Sequence, residues 1–249
     1  MLHKTRGIAL HTIKFSETSI IAKIYTELFG LQSYLIKGIR SQHSRIKPGL
    51  FQPLTILDLT VYHKEKGGLQ SLKEAHNLLP YQTLPFDIRK SSIALFMNEL
   101  LYKSIREEES NPGLFRFLFE SCIELDSSTE GFAFYPLIFS IRLTKYLGFM
   151  PQVEDLYGKE YFNMKEGTFQ DMKPNHTYFL EPPLSIFLKE IILAESSGQK
   201  FSRENYLSFN AERSKIRNEL LEKILLYYAL HLPEVKDIRS HHILHAILT

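Results

Sequence analysis

Five short alternating runs crowd into the first 80 residues of this 249-residue chain, and beyond Pro80 the apolar residues recur at helical spacing instead. Few architectures accommodate that switch. Arg6 to Ile13 alternates, and Ser19 to Thr26 sets Ile20, Ala22 and Ile24 on one face. Leu31 to Lys37, Leu54 to Tyr62 and Leu69 to Ala75 complete the set, the last two joined through Lys66-Gly67-Gly68. Five strands so closely spaced, with no helical period between them, predict a small barrel of the OB type, an SH3-like barrel being the competing solution.

The helical part reads as Phe86 to Arg106, Leu114 to Leu125, Phe132 to Tyr146, Leu184 to Glu195, Arg203 to Leu207 and Ala211 to His231, with Asn111-Pro112-Gly113 closing the first of these. In the last, Ile216, Leu220, Ile224 and Tyr227 or Tyr228 keep the spacing of a buried stripe. Between 149 and 182 the pattern breaks into prolines, glycines and aromatics: Phe149, Tyr157, Tyr161, Phe162, Phe169, Tyr178 and Phe179. The expected fold class is therefore α+β in two domains. An OB-type five-stranded β-barrel occupies 1–80, and an all-helical domain occupies 81–249, with 149–182 an irregular hairpin excursion.

Charge is unevenly placed. Residues 1–80 hold eight Lys and three Arg against four Glu and one Asp, a net of +6, so the remainder carries −4 in a chain whose total is +2. A basic first domain points to a polyanionic partner. No uninterrupted apolar run has the length of a membrane span, and the cytoplasm is the default address. The single cysteine, Cys122, lies in an apolar run and reads as packed core, which leaves no internal disulfide.

The basic residues concentrate in one turn-rich connection. Lys37, Arg40, Arg45 and Lys47, with His43 among them, lie between the third and fourth strands, and Lys14, Lys23, Lys64 and Lys66 belong to the same domain. Loop cations beside aromatic platforms track a nucleic-acid backbone in OB barrels. Tyr25, Tyr34 and Phe51 are possible platforms, while Phe15 and Tyr62 are the two aromatics expected at the surface. His241 and His245 lie one helical turn apart, but no third or fourth ligand follows at matching spacing, so helix polarity is favoured over a metal site. Glu154-Asp155 lacks a partner nucleophile, and no phosphate-binding glycine loop is present.

In order along the chain, Arg6-Gly7-Ile8-Ala9-Leu10, Glu17-Thr18-Ser19, Tyr25-Thr26, Phe29-Gly30, Lys37-Gly38-Ile39-Arg40, Ser44-Arg45 and Leu50-Phe51-Gln52-Pro53 closely resemble the bacterial RecO family of DNA repair proteins. The resemblance continues more weakly through Asn111 to Phe115 and through Ile141 to Pro151. It implies a non-catalytic, cofactor-free recombination mediator, cytoplasmic and associated with the nucleoid. Such a protein binds single- and double-stranded DNA, anneals complementary strands, and helps load the RecA recombinase on DNA coated by single-strand-binding protein. The implied protein partners are RecR and the acidic C-terminal tail of the single-strand-binding protein. Arg142 and Lys145, on the third helix, are the expected cations for that tail. Many members carry two cysteine pairs for zinc where this chain has Pro151 to Lys173. This segment has no cysteine, so its aromatics are expected to pack the hairpin instead, leaving His176 an isolated polar residue. Two other readings compete: an adaptor that only bridges partner proteins, and a nucleic-acid-processing enzyme, which would need an acid cluster or a metal.

Overall fold

The computed structural model describes residues 1–39, 46–65, 67–129, 132–153, 158–196 and 211–248. The helix expected at Arg203 to Leu207 and the pair Glu154-Asp155 lie outside them. By its internal contacts the chain divides into two units, Met1–Ser127 and Ser128–Thr249.

In the first unit, β1 (Leu2–Lys14), β2 (Ile20–Thr26), β3 (Gly30–Ile36), β4 (Ile56–Tyr62) and β5 (Leu69–Asn77) form a closed barrel in the order β1-β2-β3-β5-β4. All pairings are antiparallel except β3 with β5. This is the OB-type barrel. Ala9, Ile24, Tyr34, Ile36, Leu57, Leu59 and Val61 fill its interior, joined by Ile39 and Phe51 from the connection between β3 and β4. Burying each large apolar side chain there contributes roughly 1.5–3 kcal/mol. Tyr25, Tyr34 and Phe51 are all buried, so none is a stacking platform. Tyr34 and Phe51 are needed as filling for so small a barrel, and Tyr25 is covered by the ring of Phe115.

Two helices complete the unit, α1 (Ile88–Ser104) and α2 (Pro112–Ser127). The Asp87 side chain accepts from the Arg89 N–H at the start of α1. Asn111 and Pro112 open α2 rather than closing α1: the Asn111 Oδ1 accepts from the Leu114 N–H at 2.9 Å, and proline in the first turn lacks only a donor that would have no partner. Between the helices, the backbone of 107–110 is strapped to the β2–β3 turn. Leu31 N donates to Glu107 O at 3.0 Å and Ser110 Oγ to Glu27 O at 2.8 Å. Gly30, at φ +62°, permits that approach, because a Cβ there would collide with the carbonyls of Glu107 and Glu109. Tyr25 stacks on Phe115, and the Arg6 guanidinium lies over Phe115 and Phe119 while pairing with Glu27. Cys122 is packed core, and burial pushes its thiol up to about 12.

In the second unit, α3 (Tyr135–Leu147), α4 (Leu184–Ser196), α5 (Ala211–His231) and α6 (Ser240–Ile247) accompany a small antiparallel sheet. That sheet is β6 (Tyr161–Asn163), β7 (Thr168–Gln170) and β8 (Phe179–Leu180), in the order β7-β6-β8. Along α5, Leu220, Ile224, Tyr227 and Tyr228 are buried as expected, but Ile216 is only half-buried and Arg217 takes the inner place. Arg217 donates to Leu248 O at 2.9 Å and lies over Phe134.

Candidate nucleic-acid interface

Cross-strand register builds a continuous strip on the outside of the barrel. Tyr62 of β4 faces Ser71 of β5, Ser71 faces Leu35 of β3, Leu35 faces Ile21 of β2, and Ile21 faces Ile13 of β1. Residues opposite each other share a face. With strands about 4.8 Å apart, the strip runs roughly 19 Å. Tyr62 is 47% exposed and Ile13 44% exposed, with Ile21 and Leu35 half-buried between them. Their strand neighbours Ala22, Ile36 and Val61 point into the core.

Outward placement of Ile13 follows from a bulge. The register of β1 against β2 slips between Ala9 and His11, so Leu10 is the extra residue and each side chain after it changes face. Ile13, Ile21 and Leu35 are the members of this site that sequence reasoning missed. Alternation alone assigned Ile13 no special role, and the bulge has no local signature.

The next row out is His11, Lys23, Ser33 and Leu69. Here α1 intervenes: Lys23 Nζ lies 5.3 Å from the centre of the Tyr102 ring, and His11 packs on the same ring at 4.6 Å. Burial first, and then the Lys23 charge, hold the His11 imidazole below its ordinary value. Lys23 is therefore engaged by an aromatic face rather than held in an open groove.

The remaining expected residues sit in the connections. Phe15, 60% exposed, stands in the β1–β2 turn, which closes when Phe15 N and Ser16 N both donate to Ser19 O at 3.0 and 3.2 Å. Lys14 faces Ile20 and so sits on the opposite side from the strip, exposed where β1 ends. Lys37 is exposed just past β3, and Lys47 is exposed just before the short turn of helix Pro48–Phe51. Lys64 is exposed in the β4–β5 loop. Fully buried Gln70 holds that loop, accepting from Lys64 N at 2.8 Å and donating to Lys64 O at 3.2 Å. Arg40, His43, Arg45 and Lys66 lie outside the described residues. At the base of the same loop His63 stacks on Phe29 at 3.9 Å. Its imidazole is held below the ordinary value, by burial first and then by His3 and the N-terminal amine.

In the second unit the Arg142 guanidinium is bidentate to Glu195, at 2.6 and 2.9 Å, tying α3 to α4. Lys145, further along α3, is exposed. The excursion is packed by rings: Phe162 against Phe169 and Tyr227, and Phe149 stacked on His231 at 5.1 Å and edge-on to Tyr228. Tyr227 donates to Phe149 O at 2.6 Å. His176 is not isolated, since its Nδ1 accepts from the Tyr178 N–H at 3.2 Å. His245 Nδ1 lies 3.7 Å from Glu222 Oε1 on α5, and among the described residues no group of three or more His, Cys, Asp or Glu is placed to hold a metal ion. Nor is any described helix long and apolar enough to cross a membrane.

Residues 1–81 match the family described as Recombination protein O N terminal, and residues 85–157 the family described as Recombination protein O C terminal. The chain is 36% identical to the DNA repair protein RecO of Bacteroides fragilis, over 96% of both chains. It is also 36% identical to the proteins of that name from Christiangramia forsetii and Flavobacterium johnsoniae, over 99% of both chains in each case. An OB-type barrel with an outward apolar strip and lysine-bearing loops, followed by a helical unit and matched along nearly its whole length, places this chain in the RecO family of DNA repair proteins.

Proposed function

We propose that the barrel strip and its loops bind DNA, and that the protein is a recombination mediator with no catalytic step of its own. The observation that carries this reading is the strip from Tyr62 to Ile13, with Lys37, Lys47 and Lys64 exposed on the loops of the same barrel. Bases stack on its apolar and aromatic surface, and the lysines neutralise phosphates without choosing a sequence. In this reading the protein binds single- and double-stranded DNA. It also anneals complementary strands, because neutralised backbones approach each other while the base edges stay free to pair. It then helps load RecA on DNA coated by single-strand-binding protein, with RecR and the acidic tail of that protein as partners, in the cytoplasm at the nucleoid.

For the tail, Lys145 is the open cation, since a tail carboxylate would have to displace Glu195 to reach Arg142. Titration with the tail peptide checks this, and Lys145→Ala should weaken binding. The deciding experiment is annealing of complementary strands coated with single-strand-binding protein. A Lys37→Gln/Lys47→Gln/Lys64→Gln variant should anneal far more slowly than the parent. Unchanged DNA affinity in that variant would leave only the adaptor reading.

A further inference from the structure

The barrel unit also holds a cleft of about 570 Å³, apart from the strip. Its size falls within the range of small-ligand sites, roughly 300 to 1,000 Å³. Leu84, Ala94 and Leu95 give it an apolar side, and Tyr81 contributes a ring whose hydroxyl is fixed on Leu54 O at 2.6 Å. From the barrel come Gln52, Thr55 and Asn77. Among the described residues, the side chains of these three make no hydrogen bond.

Backbone strain marks the same place. Leu54 has φ +61°, a left-handed conformation unfavourable for a branched side chain, and both its neighbours, Pro53 and Thr55, line the cleft. It is held there by donating to Ala9 O at 2.7 Å and by accepting from Tyr81. Strain kept in place by its surroundings accompanies ligand sites. Lys47, exposed, lies two residues before Gly49 of the lining.

We propose that this cleft receives one unpaired nucleobase of a single strand, an inference that rests on the DNA-binding reading above. A base brings two apolar faces and an edge of donors and acceptors, both of which a duplex hides. The Gln52 and Asn77 amides each offer a donor and an acceptor, and so serve any base edge. An aliphatic peptide side chain offers the Gln52 and Asn77 amides no donor or acceptor, whereas a base edge matches both. Lys47 then meets the phosphate beside the inserted base. The cleft thereby favours single strands over duplex.

The test compares the full chain's affinity for a short thymidine oligomer with that for an abasic oligomer of equal length, read by fluorescence anisotropy. Gln52→Ala/Asn77→Ala, at two exposed positions, and Ser91→Phe, which places a ring in the cleft, should weaken thymidine binding about tenfold and leave abasic binding unchanged. A 5-iododeoxyuridine oligomer should photocrosslink at Tyr81. Should Ser91→Phe fail to fold, the double variant and the crosslink decide. Wild-type binding to both oligomers, with variants that keep the full preference for thymidine, overturns the inference and leaves the DNA-binding reading standing. No wild-type binding to either at low ionic strength overturns that reading itself. Loss of a protein partner in the variants, with oligomer binding untouched, also overturns it and assigns the cleft to a peptide.

Discussion

Asp126 shows how much one side chain can hold together. Its carboxylate accepts from the backbone N–H groups of Gln82, Thr83 and Leu84, at 2.9, 2.9 and 2.7 Å, and so pins the segment between barrel and α1 to the end of α2. Burial pushes this carboxyl up, but those donors together hold it below the usual value. Asp126→Ala should cost about 2 kcal/mol in denaturant unfolding, since it strips a charged acceptor from three donors. Its contribution is full above the ordinary carboxyl pKa and is lost as pH falls through the depressed folded value. The histidines act higher on the scale. His11, His63 and His241 are all held below their ordinary value, chiefly by burial. The folded state therefore resists protonating them, and stability should drop as pH falls below about 6.5. Thermal midpoints at successive pH values check this, and His63→Gln should flatten the dependence.

At the scale of the element, the excursion of 149–182 stands on ring packing against α5. Gly167 sits at φ +68°, and a Cβ there would lie 2.7 Å from the Tyr227 hydroxyl, which is already committed to Phe149 O. Gly167→Ala should cost at least about 1 kcal/mol from backbone strain alone. Phe162→Ala, which empties a fully buried site, should cost about 3–5 kcal/mol, both read by thermal or denaturant unfolding. On the barrel, the element that matters is β1, whose bulge turns Ile13 outward to extend the strip. Tyr62→Ala at the other end should weaken single-strand binding about tenfold while leaving its salt dependence unchanged, because stacking neutralises no phosphate.

For the whole molecule, the basic first 80 residues set the expected response to salt. If four phosphates are neutralised, single-strand affinity should fall with a log–log slope of about −2.8, roughly fifty-fold between about 50 and 200 mM salt. Each functional lysine changed to Gln should remove about 0.7 from that slope, which separates phosphate contacts from structural lysines. Much of this protein was legible in its residues because the signals are local. Period-two runs mark the five strands, helical spacing recovers Ala211–His231, and the aromatic run without cysteine foretells a hairpin packed by rings. What depended on distant partners was not legible. Whether a cation is open or engaged is decided by Glu195 for Arg142 and by Tyr102 for Lys23, each far along the chain. Asn111-Pro112 reads from the chain as the end of the first helix, and only the Leu114 N–H shows that it opens the second. Periodicity and charge belong to neighbouring residues, so the barrel, the helices and the basic loops are readable from chain order alone. Which side chains face outward together is set by the folded register, because a bulge and a closed barrel relate residues that the chain order keeps apart.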